Sequence, residues 1–202
     1  MNRPRPKAKR SRALGIPLTP KCAKYFERRP FPPGQHGRAR RSESDYRQRL
    51  LEKQRLREQY NIREAQLRRA FAESSRRTGK TGEILVSLLE RRLDAFVMRA
   101  GFARTIYQAR QQVVHRHFHV NGRRVDKPSY RLRPGDVVEV APGSRDKDPF
   151  RLAAAGAWAA ETTPPYVSAE LPRLRAQLVA EPNRAEVPVV CDEQLVVEFY
   201  SR

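Results

Sequence analysis

The sequence predicts an α+β fold: an extended basic N-terminal arm, a mainly helical domain, and a small module of two helices plus a β-hairpin or small sheet. Three observations predict it. Leu85, Leu88, Leu89, Leu93, Phe96, Val97 and Ala100 fall on one stripe at 3.6-residue spacing, the signature of an amphipathic helix. Phe118 and Val120 alternate as in a strand, and Asn121-Gly122 is the pair favoured in a type I′ hairpin turn before Val125 returns. Residues 1–41 hold seven prolines and little periodicity.

The elements follow in order. The arm is expected to be extended and irregular and to become ordered on a partner. Within it, Phe31-Pro32-Pro33-Gly34-Gln35-His36-Gly37 combines fixed backbone at the prolines with tight turns at the glycines. Residues 42–60 read as a helix capped by Ser42 or Ser44, with Tyr46, Leu50, Leu56 and Tyr60 as a narrow apolar stripe. Asn61-x-x-Glu64 predicts a capping box for a second helix with Leu67 and Phe71 inward. The strongest helix opens at Thr81 and is terminated by Gly101. Thr105-x-x-Gln108 caps the next, which buries Ile106, Ala109 and Val113 and ends near Arg116. After the hairpin, Pro134-Gly135-Asp136 forms a turn and 137–140 a further strand. A linker follows from 145 to 165, and Ser168 caps a short helix carrying Leu171, Leu174 and Leu178. The stretches 187–190 and 195–199 are apolar enough for partial burial.

Charge dominates the composition. The 202 residues include 42 Lys+Arg and 22 Asp+Glu, a net charge of +20. Arg outnumbers Lys 34 to 8, which favours phosphate forks and base stacking over a generic membrane surface. Residues 1–41 carry 13 basic side chains against one acid, and 91–150 carry 13 against six, whereas 151–202 is net negative. The polyanion footprint therefore lies in the arm and the central module.

Enzyme and metal chemistry find little support. Cys22 and Cys191 form neither a Cys-x-x-Cys nor a zinc spacing. His115-x-His117-x-His119 straddles a helix end and a strand start without a carboxylate or thiol to complete a site, and reads as polar surface. Gly79-Lys80-Thr81-Gly82 mimics the end of a phosphate loop but lacks the upstream glycine. Neither a signal-peptide core nor an apolar run of ~20 residues occurs, so a cytoplasmic protein without a membrane partner is expected.

The central module offers the most specific constellation. If Ile106, Ala109 and Val113 point inward, Arg104, Arg110, Gln111 and Arg116 point outward with the hairpin residues Arg123 and Arg124. Arg92 and Arg99 are expected on the polar side of the preceding helix. Arginines on rigid helices read the shape, phosphates and 2′-hydroxyls of A-form RNA. Tyr107 is positioned either to stack on a base or to pack at the rim.

These residues resemble a known family. Arg91-Arg92-Leu93-Asp94, Gly101-Phe102-Ala103, Ala109-Arg110-Gln111, Val120-Asn121-Gly122, Pro128-Ser129-Tyr130 and Pro134-Gly135-Asp136 resemble the RNA-binding module of the S-four family of bacterial small-subunit ribosomal proteins. The resemblance continues through Arg29 to Gly37, Ser44-Asp45-Tyr46, Leu51-Glu52-Lys53-Gln54, Thr81-Gly82-Glu83 and the ending Glu193 to Tyr200. It implies a structural ribosomal constituent that binds small-subunit rRNA at a helix junction of the 5′ domain and nucleates subunit assembly. It further implies a place near the channel through which messenger RNA enters, a contribution to translational accuracy, and contact with small-subunit ribosomal protein five. The implied organisation is an arm over 1–41, a helical domain over 42–90 completed by the segment 180–202, the module over 91–155, and a linker with a short helix over 156–179. Many relatives carry a four-cysteine zinc knuckle in the arm; here only Cys22 stands there, so a zinc-free variant without cofactors is expected.

The expected RNA-binding residues are Gln35, His36, Arg38, Arg40, Arg41, Arg47, Arg49 and Lys53 in the arm and first helix. In the module they are Arg92, Arg104, Tyr107, Arg110, Gln111, Arg116 and Arg124. The alternatives are an RNA-modifying enzyme that docks through the same module and a non-ribosomal accessory factor. The first needs a separate catalytic domain of roughly 100 residues, and too little chain follows Gly156 to supply one. A DNA-binding regulator is a third reading, disfavoured by the hairpin that directly follows the helices.

Overall fold

The computed structural model describes residues 6–38, 44–159 and 163–201. The chain forms two compact units, Met1–Arg68 with Val189–Arg202, and Arg69–Pro188.

The first unit is helical. Helices α1 (Lys7–Leu14) and α2 (Pro20–Arg28) lie where an irregular arm is expected. The prolines punctuate these helices instead of preventing them. Pro6 precedes α1, Pro20 occupies the first turn of α2 where its missing N–H is harmless, and Gly15 ends α1 with a φ of 71°. Leu14, Ile16 and Cys22 are buried, and Arg55 ties the segment down by donating to the Leu14 carbonyl at 2.8 Å. Helix α3 (Asp45–Gln59) begins at the expected cap, Ser44, whose hydroxyl accepts from the Arg47 N–H. Helix α4 (Glu64–Ser74) starts differently from expectation. Asn61 has a left-handed φ of 48°, and the cap is the Gln66 side chain, which accepts from the Arg63 N–H at 3.1 Å.

The last helix in chain order, α9 (Glu193–Tyr200), closes the first unit against α3. Its N-cap Asp192 accepts from the N–H groups of Gln194 and Leu195, and donates its own N–H to Glu52 at 3.0 Å. The Gln59 amide pairs with both backbone groups of Val190. Leu56 and Val196 are fully buried beneath these polar clamps, and Tyr60, Ile62 and Leu67 extend the core.

The second unit packs helices against a five-stranded antiparallel sheet. The stripe from Leu85 to Ala100 is not one helix but two, α5 (Thr81–Glu90) and α6 (Leu93–Arg99). Arg92 between them is extended and forms an isolated antiparallel bridge with Arg131. The Arg91 carbonyl accepts from Leu132, and the Leu93 N–H donates to Tyr130, both at 2.8 Å. Long-range pairing thus overrides helix propensity while the apolar phase runs on through the break. Arg99 and Glu90 form a buried ion pair at 2.7 Å, so Arg99 is not on an open polar face as expected. Burial, and then the Glu90 charge beside it, push the Tyr166 phenol well above its usual pKa.

Helix α7 (Ile106–Val114) leads into β1 (Phe118–Val120), β2 (Arg123–Val125) and β3 (Val137–Val140). Helix α8 (Asp148–Ala154) precedes β4 (Val167–Glu170) and β5 (Arg175–Leu178), giving the order β2-β1-β3-β5-β4. Register places Phe118 opposite Val140, Val120 opposite Val138, and Val138 opposite Ala176, so one inward row crosses the sheet. Phe118 meets the Phe102 and Phe150 rings at centroid distances of 6.2 and 5.8 Å.

The expected linker and helix over 156–179 is therefore corrected: from Val167 to Leu178 it is the β4–β5 hairpin. Leu171, Leu174 and Leu178 have helical spacing, but Leu174 sits in the turn with a φ of 53° and Leu178 alternates with Ala176 as a strand. Short apolar runs satisfy both periods, and pairing with β3 decides between them.

Candidate nucleic-acid interface

Helix α7 is fixed by its cap and its buried side. The Thr105 hydroxyl accepts from the Gln108 N–H at 3.3 Å, and the Gln108 amide oxygen accepts from the Arg104 N–H at 3.0 Å. Ile106, Ala109 and Val113 are buried, which turns Arg104, Gln111 and Arg116 outward, all exposed. The adjoining hairpin turn has φ values of 50° at Asn121 and 77° at Gly122, as a type I′ turn demands. The Asn121 side chain donates to Asp136 at 2.8 Å and accepts from the Val137 N–H at 2.9 Å, bracing the hairpin against the next turn. Arg123 and Arg124 are exposed on its returning strand.

Two arginines of the expected set meet one carboxylate. Asp94 is fully buried and accepts from Arg92 Nε at 3.0 Å, Arg92 Nη2 at 2.8 Å and the Ala95 N–H at 3.1 Å. Arg110 Nη1 lies 3.5 Å from Asp94 Oδ2, and its side chain remains 31% exposed. Arg110 therefore spans from a buried anion to the surface, whereas Arg92, with 6% of its surface exposed, is internal. Arg92 is removed from the expected surface set because the Leu93 and Asp94 N–H groups pair with 128–130 and draw it inside. Arg116, with a φ of 62°, extends into solvent and pairs with Asp126 at 3.1 Å. Tyr107 is half-buried with its hydroxyl oxygen inside, so packing at the rim, one of its two expected positions, is the one adopted.

In the first unit the expected residues separate. Gln35, His36, Arg38 and Arg47 are exposed. Arg40 and Arg41 lie outside the described residues. Phe31 is approached by two guanidiniums, Arg38 at 4.7 Å and Arg12 at 5.2 Å from the ring centroid. Arg12 also donates to the Arg29 and Phe31 carbonyls at 3.1 and 3.0 Å, so this turn is stapled from within the chain. Arg49 and Lys53 are corrected from surface ligands to structural groups. Arg49 pairs with Glu198 at 2.7 Å, and Lys53, only 6% exposed, lies 3.1 Å from Glu64 and 4.3 Å from the Phe199 ring. Burial alone raises the Glu64 carboxyl pKa, but hydrogen bonds from Tyr200 and Lys53 outweigh it and hold the pKa below the usual range.

Trp158 lies outside the residues that the sequence pattern singles out. Its ring lies 5.6 Å from the Arg104 guanidinium carbon. The only signal for it is a lone tryptophan in an alanine-rich stretch of a charged chain. His117 hydrogen-bonds Ser144 at 2.8 Å and faces Phe150 at 5.5 Å, which makes it a packing histidine. Among the described residues, no group of three or more His, Cys, Asp or Glu is placed to hold a metal. What the second unit assembles, on α7 and the adjoining hairpin, is a group of exposed or part-exposed polar side chains, Arg104, Arg110, Gln111, Arg116, Arg123 and Arg124, carried on fixed elements and suited to phosphates; Arg123 and Arg124, consecutive on β2, point to opposite sides of the sheet.

Comparison with known proteins gives the family. Residues 2–90 match the family described as the ribosomal protein S4/S9 N-terminal domain, and residues 91–138 match the S4 domain. The chain is 60% identical to the small ribosomal subunit protein uS4 of Streptomyces coelicolor over 100% of this chain and 99% of the relative. It is 62% identical to uS4 of Beutenbergia cavernae and 61% identical to uS4 of Micrococcus luteus, in each case over 99% of this chain and 98% of the relative. The chain belongs to the uS4 family of small ribosomal subunit proteins.

Proposed function

We propose that this chain is the uS4 constituent of the small ribosomal subunit and works there by binding rRNA directly through the face built on α7 and the β1–β2 hairpin. It acts as a structural protein and not an enzyme, in the bacterial cytoplasm. The observation that carries the reading is the pairing of exposed Arg104, Gln111, Arg116 and Arg124 with a fixed scaffold, so that side chains meet phosphates without reordering the backbone. Neutralising phosphates where RNA helices converge releases counterions and fixes the helix angles. On this reading the protein binds a 5′-domain junction early, nucleates assembly, and lies near the channel through which messenger RNA enters. There it contacts small-subunit ribosomal protein five and contributes to accuracy. In the first unit, Gln35, His36, Arg38, Arg40, Arg41 and Arg47 supply the arm's contacts, while Arg49 and Lys53 serve by holding α9 in place.

The test is affinity, at physiological salt, for a 5′-domain small-subunit rRNA fragment against an equal length of plain duplex RNA. The expected preference is ~10³ or more. Equal binding to both would reduce the protein to a generic polyanion binder and overturn the reading.

A further inference from the structure

We infer that Trp158 and Arg104 form a stacking site for one unpaired RNA nucleobase at the edge of the basic face. The inference rests on the rRNA-binding reading above and adds the kind of nucleotide that this edge takes.

Trp158 is the single tryptophan of the chain. Its side chain is half-buried, an unusual outlay for the largest aromatic residue beside a surface dense in cations. The indole is held at one point and its backbone at another. Its Nε1–H donates to the Pro149 carbonyl at 3.4 Å, and the Ala159 N–H that follows it donates to the Gly156 carbonyl at 3.1 Å. The segment is also seated on the turn between α6 and α7. Gly101, with a φ of 77°, lies so close that a Cβ there would sit 3.3 Å from the Ala159 Cα. The ring is thus docked beside the α7 cap, with the Arg104 guanidinium 5.6 Å from its centroid.

This is the arrangement that single-stranded nucleic acid uses. An aromatic face gives a sequence-tolerant surface for a base, and a neighbouring cation takes the adjoining phosphate. A base inside a duplex is already stacked on both faces and cannot reach it, so the site selects bulged or looped nucleotides. Arg104 alone reads charge; with Trp158 beside it, the edge also reads the absence of pairing. The phenyl ring of Phe31, flanked by Arg12 and Arg38, has a similar composition, but Arg12 is committed there to backbone carbonyls and the arrangement closes a turn.

The single tryptophan makes the test direct. The full-length chain is titrated with a 5′-domain rRNA fragment and with perfectly paired duplex. Indole emission and the anisotropy of end-labelled RNA are followed together. The expected result is quenching of the indole that saturates with binding of the rRNA fragment and is absent for the duplex. Trp158→Ala is expected to weaken rRNA-fragment binding about 5- to 100-fold, as for loss of one stacked base. Its slope of log K against log salt should match wild type, whereas Arg104→Ala should shallow that slope by about one. Trp158→Phe, which keeps a ring and guards against a folding artefact, should restore affinity to within about threefold of wild type, in line with stacking by any aromatic face. Tight binding with unchanged indole emission and wild-type affinity for Trp158→Ala would overturn the stacking site and leave the rRNA reading standing. Absence of any preference for the rRNA fragment in the anisotropy channel would overturn both.

Discussion

Replacing Asp94 by Asn tests how the basic face is anchored. The carboxylate is fully buried and accepts three hydrogen bonds within 3.1 Å, two from Arg92 and one from the Ala95 N–H. The amide keeps the shape and one acceptor oxygen. Its NH2 group, however, replaces the oxygen that receives Arg92 Nη2 at 2.8 Å and sets donor against donor. Arg92 then carries a buried charge with no counter-ion, a change that costs about 3–5 kcal/mol. The assay is urea unfolding followed by indole emission, since Trp158 reports on the second unit alone. With an m-value of about 1.5 kcal/mol/M for a unit of this size, the midpoint falls by about 2–3 M. The double variant Arg92→Met/Asp94→Leu removes both charges and fills similar volume. It should recover more than half of the loss, because a well-packed apolar pair is often as stable as a buried ion pair. A loss below about 1 kcal/mol for the single variant, or a double variant less stable than the single, would refute the claim that charge compensation holds this turn.

Three further outcomes follow from the same structure. Arg110→Ala should weaken rRNA binding by about 1 kcal/mol or more and shallow its salt slope, measured by filter retention across salt; unchanged affinity and slope would remove Arg110 from the interface. Leu56→Ala should destabilise the first unit by about 2–5 kcal/mol, read by hydrogen exchange in α3 and α9, because the side chain is fully buried where those helices meet. Burial first, and then the charges of Lys147 and His115, depress the His117 pKa below its ordinary value of 6.5. The unfolded chain therefore binds the proton more readily, so stability present above pH 6.5 is lost as pH falls toward the folded pKa. Melting temperatures between pH 7 and 5 should fall more steeply for wild type than for His117→Gln; parallel curves would contradict this.

What the sequence made legible was whatever its local chemistry decides. The Thr105–Gln108 cap, the Asn121-Gly122 turn and the inward set of α7 each depend on residues within a few positions of one another, and each forms as read. Structure departs from local pattern where distant chain decides. The Leu85–Ala100 stripe breaks because Arg92 pairs with Arg131, about forty positions away. The leucines after Ser168 become strand because β3 offers an edge. Two of the arm's prolines, Pro6 and Pro20, fall at helix starts, which composition alone does not reveal. Among site residues, charge patterning placed Arg104, Gln111, Arg116 and Arg124 on the surface but could not distinguish them from Arg92, Arg49 and Lys53. Those three are claimed by Asp94, Glu198 and Glu64, partners invisible without the fold.

The clamp between α3 and α9 imposes an order on biosynthesis. Residues 69–188 are translated between the two strands of chain that make up the first unit. At bacterial elongation rates of about 5–20 residues per second, α3 waits on the order of ten seconds for α9 to emerge. During that interval Leu56 has no α9 above it, while the second unit already holds every residue of its own core and can fold behind the waiting helices. A nascent chain interrupted between Val189 and Val196 is consequently half finished in a specific sense, with every residue of the sheet module made and an unroofed helical layer. The apolar layer that α9 covers, Leu56 foremost, is therefore the last part of the fold to leave water.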